Sequence, residues 1–256
     1  MGAPQKDRLF RRCSAFVLLL LLTLGMQGCV WLRLLEVKNQ LTEFDQHFRV
    51  DTQQGFQLRF LEPVLYGSDL TGLARMDPTH KSNHPAGQEW EFYFAKEPIL
   101  DDPQPQDLQL YCTINPAEKV QALRLAPIFL QLAPARFLEH SIRSLASANV
   151  DARKRHLHAD TKTLAQAELK PPTYDHLLSK LGTPHFDKFQ GEKWIVSYYY
   201  RLQSNTAIQE EKTQAEVHLF FDQETRRLNR FRAQFARLKL SVNYREIADA
   251  YEEIAS

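Results

Sequence analysis

One succession of residue types occurs twice in this chain at a nearly constant spacing, and any fold must accommodate both occurrences. The first passes through Tyr66-Gly67-Ser68-Asp69-Leu70 to Asp77-Pro78-Thr79, then Glu89-Trp90-Glu91-Phe92-Tyr93-Phe94, then apolar stretches at 108–113 and 120–125. The second passes through Tyr174-Asp175-His176-Leu177-Leu178 to Gly182-Thr183-Pro184, then Trp194-Ile195-Val196-Ser197-Tyr198-Tyr199-Tyr200, then stretches at 217–222 and 228–231. Matching landmarks lie 106 positions apart (Asp69 and Asp175, Pro78 and Pro184), 104 apart (Trp90 and Trp194) and 108 apart (Leu123 and Phe231). An internal period of this kind points to a repeated supersecondary unit.

Each occurrence reads as a short helix followed by strands. Gly182 after Leu181, with Pro184 two residues on, is a helix stop signal. Trp90, Phe92 and Phe94 alternate with Glu91 and Tyr93, so they take opposite faces of a strand. A helical pattern closes each occurrence: Phe137, Leu138, Ser141, Ile142 and Leu145 in the first, and Tyr244, Ile247, Ala248, Tyr251 and Ile254 in the second. The expectation is an α+β fold of two similar units, each a short helix, a roughly three-stranded antiparallel sheet and a closing helix. Residues 48–149 and 150–256 form these units, and 29–47 a membrane-proximal tether.

The N-terminal region carries a different signal. Lys6, Arg8, Arg11 and Arg12 precede an apolar run that includes Leu18 to Leu22, and the run ends at Leu24-Gly25-Met26-Gln27-Gly28-Cys29. A basic stretch, a short apolar stretch and small residues before a cut mark a secretory signal, here residues 1–28. The Gly28-Cys29 step resembles the lipobox of bacterial lipoproteins. That resemblance implies a diacylglyceryl group on the Cys29 thiol, cleavage before it, and acyl chains as the membrane attachment. It also implies the outer membrane, because Val30 rather than Asp follows the cysteine. The alternative is an uncleaved inner-membrane anchor, since 13–32 is free of charge and long enough to span a bilayer. Either way the positive charges hold the N-terminus in the cytoplasm and the body lies outside it.

The formal charge is +1, and removing residues 1–28, with four basic side chains and one acid, brings it to −2. A near-neutral body has no electrostatic footprint for nucleic acid. Of three cysteines, Cys13 lies in the leader and Cys29 at its end, leaving Cys112 alone in an apolar stretch as a small buried hydrophobe.

The helix, Leu181-Gly182-Thr183-Pro184, the strand from Trp194 and the Phe221-Asp222 turn into Leu228 resemble the domain of BamE (SmpA/OmlA), the small lipoprotein of the outer-membrane β-barrel assembly machine. That fold is akin to the domains of β-lactamase inhibitory protein. The resemblance spans 173–235 and, less closely, 63–125. It implies an accessory role in outer-membrane or envelope assembly and maintenance, with an envelope protein as partner.

Catalytic signatures are missing from the sequence: it contains no G-x-S-x-G, P-loop or H-E-x-x-H. His156, His158 and Asp160 share a strand face, which would suit a metal site, but the favoured reading is a polar strand face beside the basic run 153–155; neither metal nor cofactor is expected. The expectation is a binding protein, not an enzyme. The residues singled out as its interaction surface are Trp194, Tyr198, Tyr199 and Tyr200, because exposed tyrosine on a rigid sheet supplies contact area at low entropic cost. The competing reading is a carrier or sensor that holds a lipid or peptidoglycan fragment between the two units.

Overall fold

The computed structural model describes residues 30–74, 76–100, 102, 106–151, 153–160, 169–190, 193–203, 214–235 and 238–244. A helix over 30–42 (α1) and the turn Phe44–His47 (α2) lead into β1 (Phe48–Asp51) and β2 (Phe56–Phe60). Then come α3 (Gly67–Ala74), β3 (His80–His84), β4 (Gly87–Lys96), β5 (Leu108–Ile114) and β6 (Val120–Leu125). α4 (Ile128–Leu132), α5 (Ala135–Arg143), β7 (Asn149–Asp151) and β8 (His156–Asp160) follow. The chain continues through α6 (Tyr174–Leu181), β9 (Phe186–Gln190), β10 (Lys193–Leu202), β11 (Gln214–Phe221), β12 (Leu228–Phe235) and β13 (Leu238–Asn243).

All 13 strands belong to one sheet, ordered β1-β2-β6-β5-β4-β10-β11-β12-β13-β8-β7, with β3 on β4 and β9 on β10. The expectation of two small helix-plus-three-stranded units is therefore corrected: the sheet is single, large and mixed, the β13–β8 pair being parallel. The expected second closing helix lies outside the described residues beyond Tyr244. Two physical causes explain the difference. Strands such as His80–His84, Phe186–Gln190 and Asn149–Asp151 have largely polar sequences, so hydrophobic alternation does not announce them. An open strand edge also leaves backbone groups unpaired. Here β4 and β10 close each other's edge through Lys96↔Tyr200, Ala95↔Arg201 and Phe94↔Leu202.

This seam carries the 106-residue period in atomic detail. On one side, Thr79 Oγ1 accepts from the backbone N–H of Tyr93 at 3.0 Å and donates to the carbonyl of Gln203. On the other, His185 Nδ1 accepts from the backbone N–H of Tyr199 at 3.2 Å, and its Nε2 lies 3.0 Å from the carbonyl of Glu97. Thr79 and His185, Tyr93 and Tyr199, and Glu97 and Gln203 are each separated by the same period. Gln203 N–H donates to Tyr93 O, and Glu97 N–H to Tyr199 O, both at 2.9 Å. What recurs is thus a pair of side-chain brackets within one sheet. Each satisfies backbone groups where β3 or β9 gives way to the opposite long strand.

The alternation of the long strands sends most of their apolar residues to one face. Phe48, Phe56, Phe60, Trp90, Phe92, Phe94, Trp194, Tyr198, Tyr200, Val217, Leu219 and Phe221 are all buried there, each such side chain worth about 1.5–3 kcal/mol on burial. The helices cover that face. Thr173 caps α6 by accepting from His176 N, and the helix ends at Gly182, whose φ of 71° suits glycine. Gly67 at the start of α3 lies flat against the Trp90 indole; a Cβ there would come within 2.5 Å of its Cη2. α1 is part of this layer: Arg33 makes a two-pronged ion pair with buried Asp69 of α3 (2.7 and 2.5 Å), and Leu41 is buried.

Lys96, at the end of β4, points into this apolar layer and its side chain has no solvent exposure. Its ammonium donates to Asp102 Oδ2 at 2.6 Å and to the carbonyl of Leu181 at 2.8 Å, and lies over the Tyr198 ring at 5.2 Å. The cation therefore sits on the C-terminal carbonyls of α6, where the helix dipole favours positive charge. It ties β4 to the helix of the other half of the chain.

Removing one member of a buried pair strands the other, so Lys96→Met should cost about 3–5 kcal/mol in urea unfolding, and Lys96→Met with Asp102→Leu should recover most of that. An unaltered midpoint for the single variant would show that the pair does not hold the halves together. Gly67→Ala should lose about 1–3 kcal/mol through the clash with Trp90. Gly72→Ala, in the same helix with open space around it, should gain about 0.5–1 kcal/mol. Equal effects at the two glycines would contradict the packing of α3 on Trp90.

Candidate functional site: the polar face of the sheet

The face opposite the helices is built by the other half of each alternation, and its C-terminal part forms three continuous rows across neighbouring strands. One row reads Phe186, Ser197, His218, Arg232, Ser241, His158, Asn149. The next reads Tyr199, Glu216, Gln234, Lys239, His156, Asp151. The third reads Ile195, Phe220, Arg230 and Asn243. Directly opposed residues in such rows have Cβ atoms roughly 4.5–5.5 Å apart, so this region is a surface of arginine, lysine, imidazole and aromatic side chains with the carboxylates Glu216 and Asp151 among them.

Local contacts set its texture. Arg230 and Arg232 flank the Phe220 ring at 5.7 and 5.4 Å, an arrangement in which the ring face attracts each cation. Tyr199 lies between His185 (ring centroids 5.0 Å) and His218 (6.4 Å). Arg201 pairs with Glu97 at 3.0 and 3.2 Å. Across the seam the same face carries Tyr93, whose hydroxyl donates to Asp107. That carboxylate and partial burial push the phenol up to about 12. Arg124 there bonds Glu89 at 2.9 Å and stacks on Tyr111 at 3.9 Å.

The sequence-derived surface residues divide between the two faces. Tyr199 is on the polar face. Trp194, Tyr198 and Tyr200 are not an exposed surface: they are 6%, 1% and 1% exposed and belong to the core. The period of two along β10 sends them inward together, under α6. Trp194 packs on Tyr174 (4.2 Å) and Phe189 (5.2 Å) and donates from Nε1 to Asp187 at 2.7 Å. Tyr198 donates to the carbonyl of Gly182 at 3.1 Å, and burial holds the phenols of Tyr198 and Tyr200 well above their ordinary range. Cys29 lies outside the described residues.

His156 and His158 do share a strand face, with ring centroids 6.3 Å apart. Their neighbours are Arg232 and Lys239, and burial together with the charge of His158, Arg232 and Lys239 lowers the pKa of His156. Among the described residues no group of three or more His, Cys, Asp or Glu could hold a metal ion. His176 stands on the helix side, bonded to the carbonyl of Gln131.

Ser197 Oγ lies 2.8 Å from His218 Nδ1, and His218 Nε2 lies 3.5 Å from Glu216. The residue types are those of a hydrolytic triad, but Ser197 is 2% exposed in the middle of a strand rather than presented on a tight turn as a nucleophile requires. The chain of contacts orients His218 on the surface. Cys112 is likewise quiet: burial pushes its thiol up to about 12, leaving no thiolate near neutrality.

Two cavities lie away from the seam. One of about 560 Å³ borders Asn149, Asp151, Arg153, His156 and His158, and one of about 590 Å³ lies among Ser68, Asp77, Lys81, Trp90 and Asn115. At the seam itself β4 and β10 are in direct contact. Sequence reasoning missed the rows on β12 and β13, although their alternation is legible in Arg230-Phe231-Arg232-Ala233 and Leu238-Lys239-Leu240-Ser241-Val242-Asn243.

Comparison with protein-family models, curated proteins and solved structures finds no match.

His185 gives the seam a pH dependence. Its Nδ1 is an acceptor and therefore unprotonated, so Nε2 carries the hydrogen that reaches Glu97 O. Burial, ahead of the nearby Lys96, lowers its pKa from 6.5, and Glu97 and Asp102 oppose the shift. A depressed folded-state pKa means that the unfolded chain binds the proton more readily, so stability is full above 6.5 and is lost as pH falls below it. The urea midpoint should drop from about pH 7.5 to 5.5, with a shallower drop in His185→Gln. Parallel slopes for the two proteins would show that His185 does not titrate with unfolding.

Proposed function

We propose that this is an exported protein, held by a lipid on Cys29 at the periplasmic side of the outer membrane. In this reading it acts by binding an envelope protein through the polar face of its sheet. The observation that carries the binding role is the sidedness of the sheet. One face is closed by helices, and the other presents Tyr199, Phe220, Arg201, Arg230, Arg232 and Lys239 on a rigid, hydrogen-bonded backbone. Tyrosine and arginine are enriched where proteins recognise one another, because they combine large contact area with polar reach. The basic side chains favour a partner with an acidic surface, which would also speed encounter.

The resemblance to BamE-type domains supports an accessory role in envelope assembly or maintenance. The lipobox at Gly28-Cys29 and the basic, apolar order of the leader support the location. No helix among the described residues is long and apolar enough to cross a membrane, and the acyl chains in this reading supply the attachment. Catalysis is not part of the proposal.

The test is recovery of partners from solubilised envelopes with the acylated chain, alongside an Arg232→Glu, Lys239→Glu variant. Both side chains are exposed on the polar face, so the variant should fold with an unaltered circular dichroism spectrum. A partner that binds there should be recovered at least tenfold less, equivalent to about 1.4 kcal/mol or more. Identical recovery with both proteins would refute the polar face as the binding surface. Mass analysis of the N-terminus tests the anchor separately.

A further inference from the structure

The helix α1 includes Val30, the residue that follows the cysteine proposed to carry the lipid, and it is built into the body. Arg33 is clamped by Asp69, which is 2% exposed and also accepts from the backbone N–H of Tyr66 at 2.9 Å. Leu34 and Val37 pack on the core, Gln40 donates to the carbonyl of Glu62 at 3.0 Å, and Leu41 and Phe44 are buried. Few residues separate the anchor from this packed element, so no flexible linker intervenes between the lipid and the fold.

The outward side of the same helix changes character along its length. Leu32 is 66% exposed and Leu35 43% exposed, and Trp31 beside them is half-buried. One turn further on, the exposed positions are Glu36, Asn39, Thr42 and Glu43. The apolar side chains are thus confined to the end nearest Cys29. At 1.5 Å per residue they lie within about 9 Å of it along the helix axis. That is the depth of the boundary between headgroups and acyl chains, where tryptophan and leucine are favourable.

We infer that the end of α1 nearest Cys29 is a membrane-docking element: Trp31, Leu32 and Leu35 enter the bilayer surface beside the lipid and mount the body rigidly. The occupant of this apolar patch is a phospholipid surface, because acyl chains on Cys29 would hold the exposed Leu32 and Leu35 against the bilayer. α1 packs on the helix side of the sheet, so docking there leaves the polar face unobstructed. This inference rests on the acylation of Cys29 proposed above and adds to it a fixed orientation in place of a free tether.

The test uses the full chain, exported and purified with its lipid, in vesicles of phosphatidylethanolamine and phosphatidylglycerol with brominated acyl chains. Trp90 and Trp194 are buried in the body, which makes Trp31 the tryptophan within reach of the bromine atoms. Tryptophan emission should be quenched relative to unbrominated vesicles. Trp31→Phe should abolish that quenching, and Leu32→Glu with Leu35→Glu should reduce it at least twofold without loss of the folded circular dichroism spectrum. Acylation confirmed by mass, with quenching that is absent or indifferent to these variants, would overturn the docking while leaving the anchor standing. A mass showing no acyl chains would remove the anchor reading and this inference together.

Discussion

The pairing of β4 with β10 is the constraint on which the rest of the molecule depends. Only three residue pairs join the two long strands, a short contact for so large a sheet, and the surrounding side chains make it hold. Thr79 and His185 each bracket a strand end to the strand across it. Beneath them, Lys96 reaches from β4 to the end of α6 and to Asp102. Buried polar groups are tolerated when their partners are present and costly when one is lost. The seam is therefore strong as a whole and sensitive at each of its parts.

With that seam closed, the sheet has one apolar face and one polar face over its entire width. The helices cover the first, and α1 is one of them. The polar face gains its organisation from register: because His218, Arg232, Ser241 and His158 occupy one row, residues distant in the chain form a single surface. Burial on one side and a polar surface on the other are two outcomes of the same two-residue period. α1 and the polar rows lie on opposite sides of the sheet, so the membrane docking and the partner binding proposed above would not compete for one surface.

Several features were legible in the sequence because they depend on local chemistry. The strands around Trp90 and Trp194 announce themselves by alternation, and α6 by its apolar spacing and its Gly182-Pro184 stop. Tyr198 and Tyr200 could be assigned to one face and Tyr199 to the other, but which face would be covered depended on where α6 packs. The polar strands β3, β7 and β9 carry almost no hydrophobic signal; they exist because long neighbours offer them a hydrogen-bonding edge. The surface rows were hidden for a related reason, since register between distant strands is not written in either strand alone.

What the sequence determined by itself was the period of 106 residues, the identity of the apolar strands and the stop of α6. These follow from residue spacing, glycine's access to positive φ and side-chain polarity. Only the tertiary structure decided that the two occurrences share a single sheet. It also decided that Trp194, Tyr198 and Tyr200 are core, that Lys96 is buried, and that α1 is docked. Each of those outcomes requires an edge or a face to meet a partner from elsewhere in the chain, and the free energy of that meeting belongs to the pair.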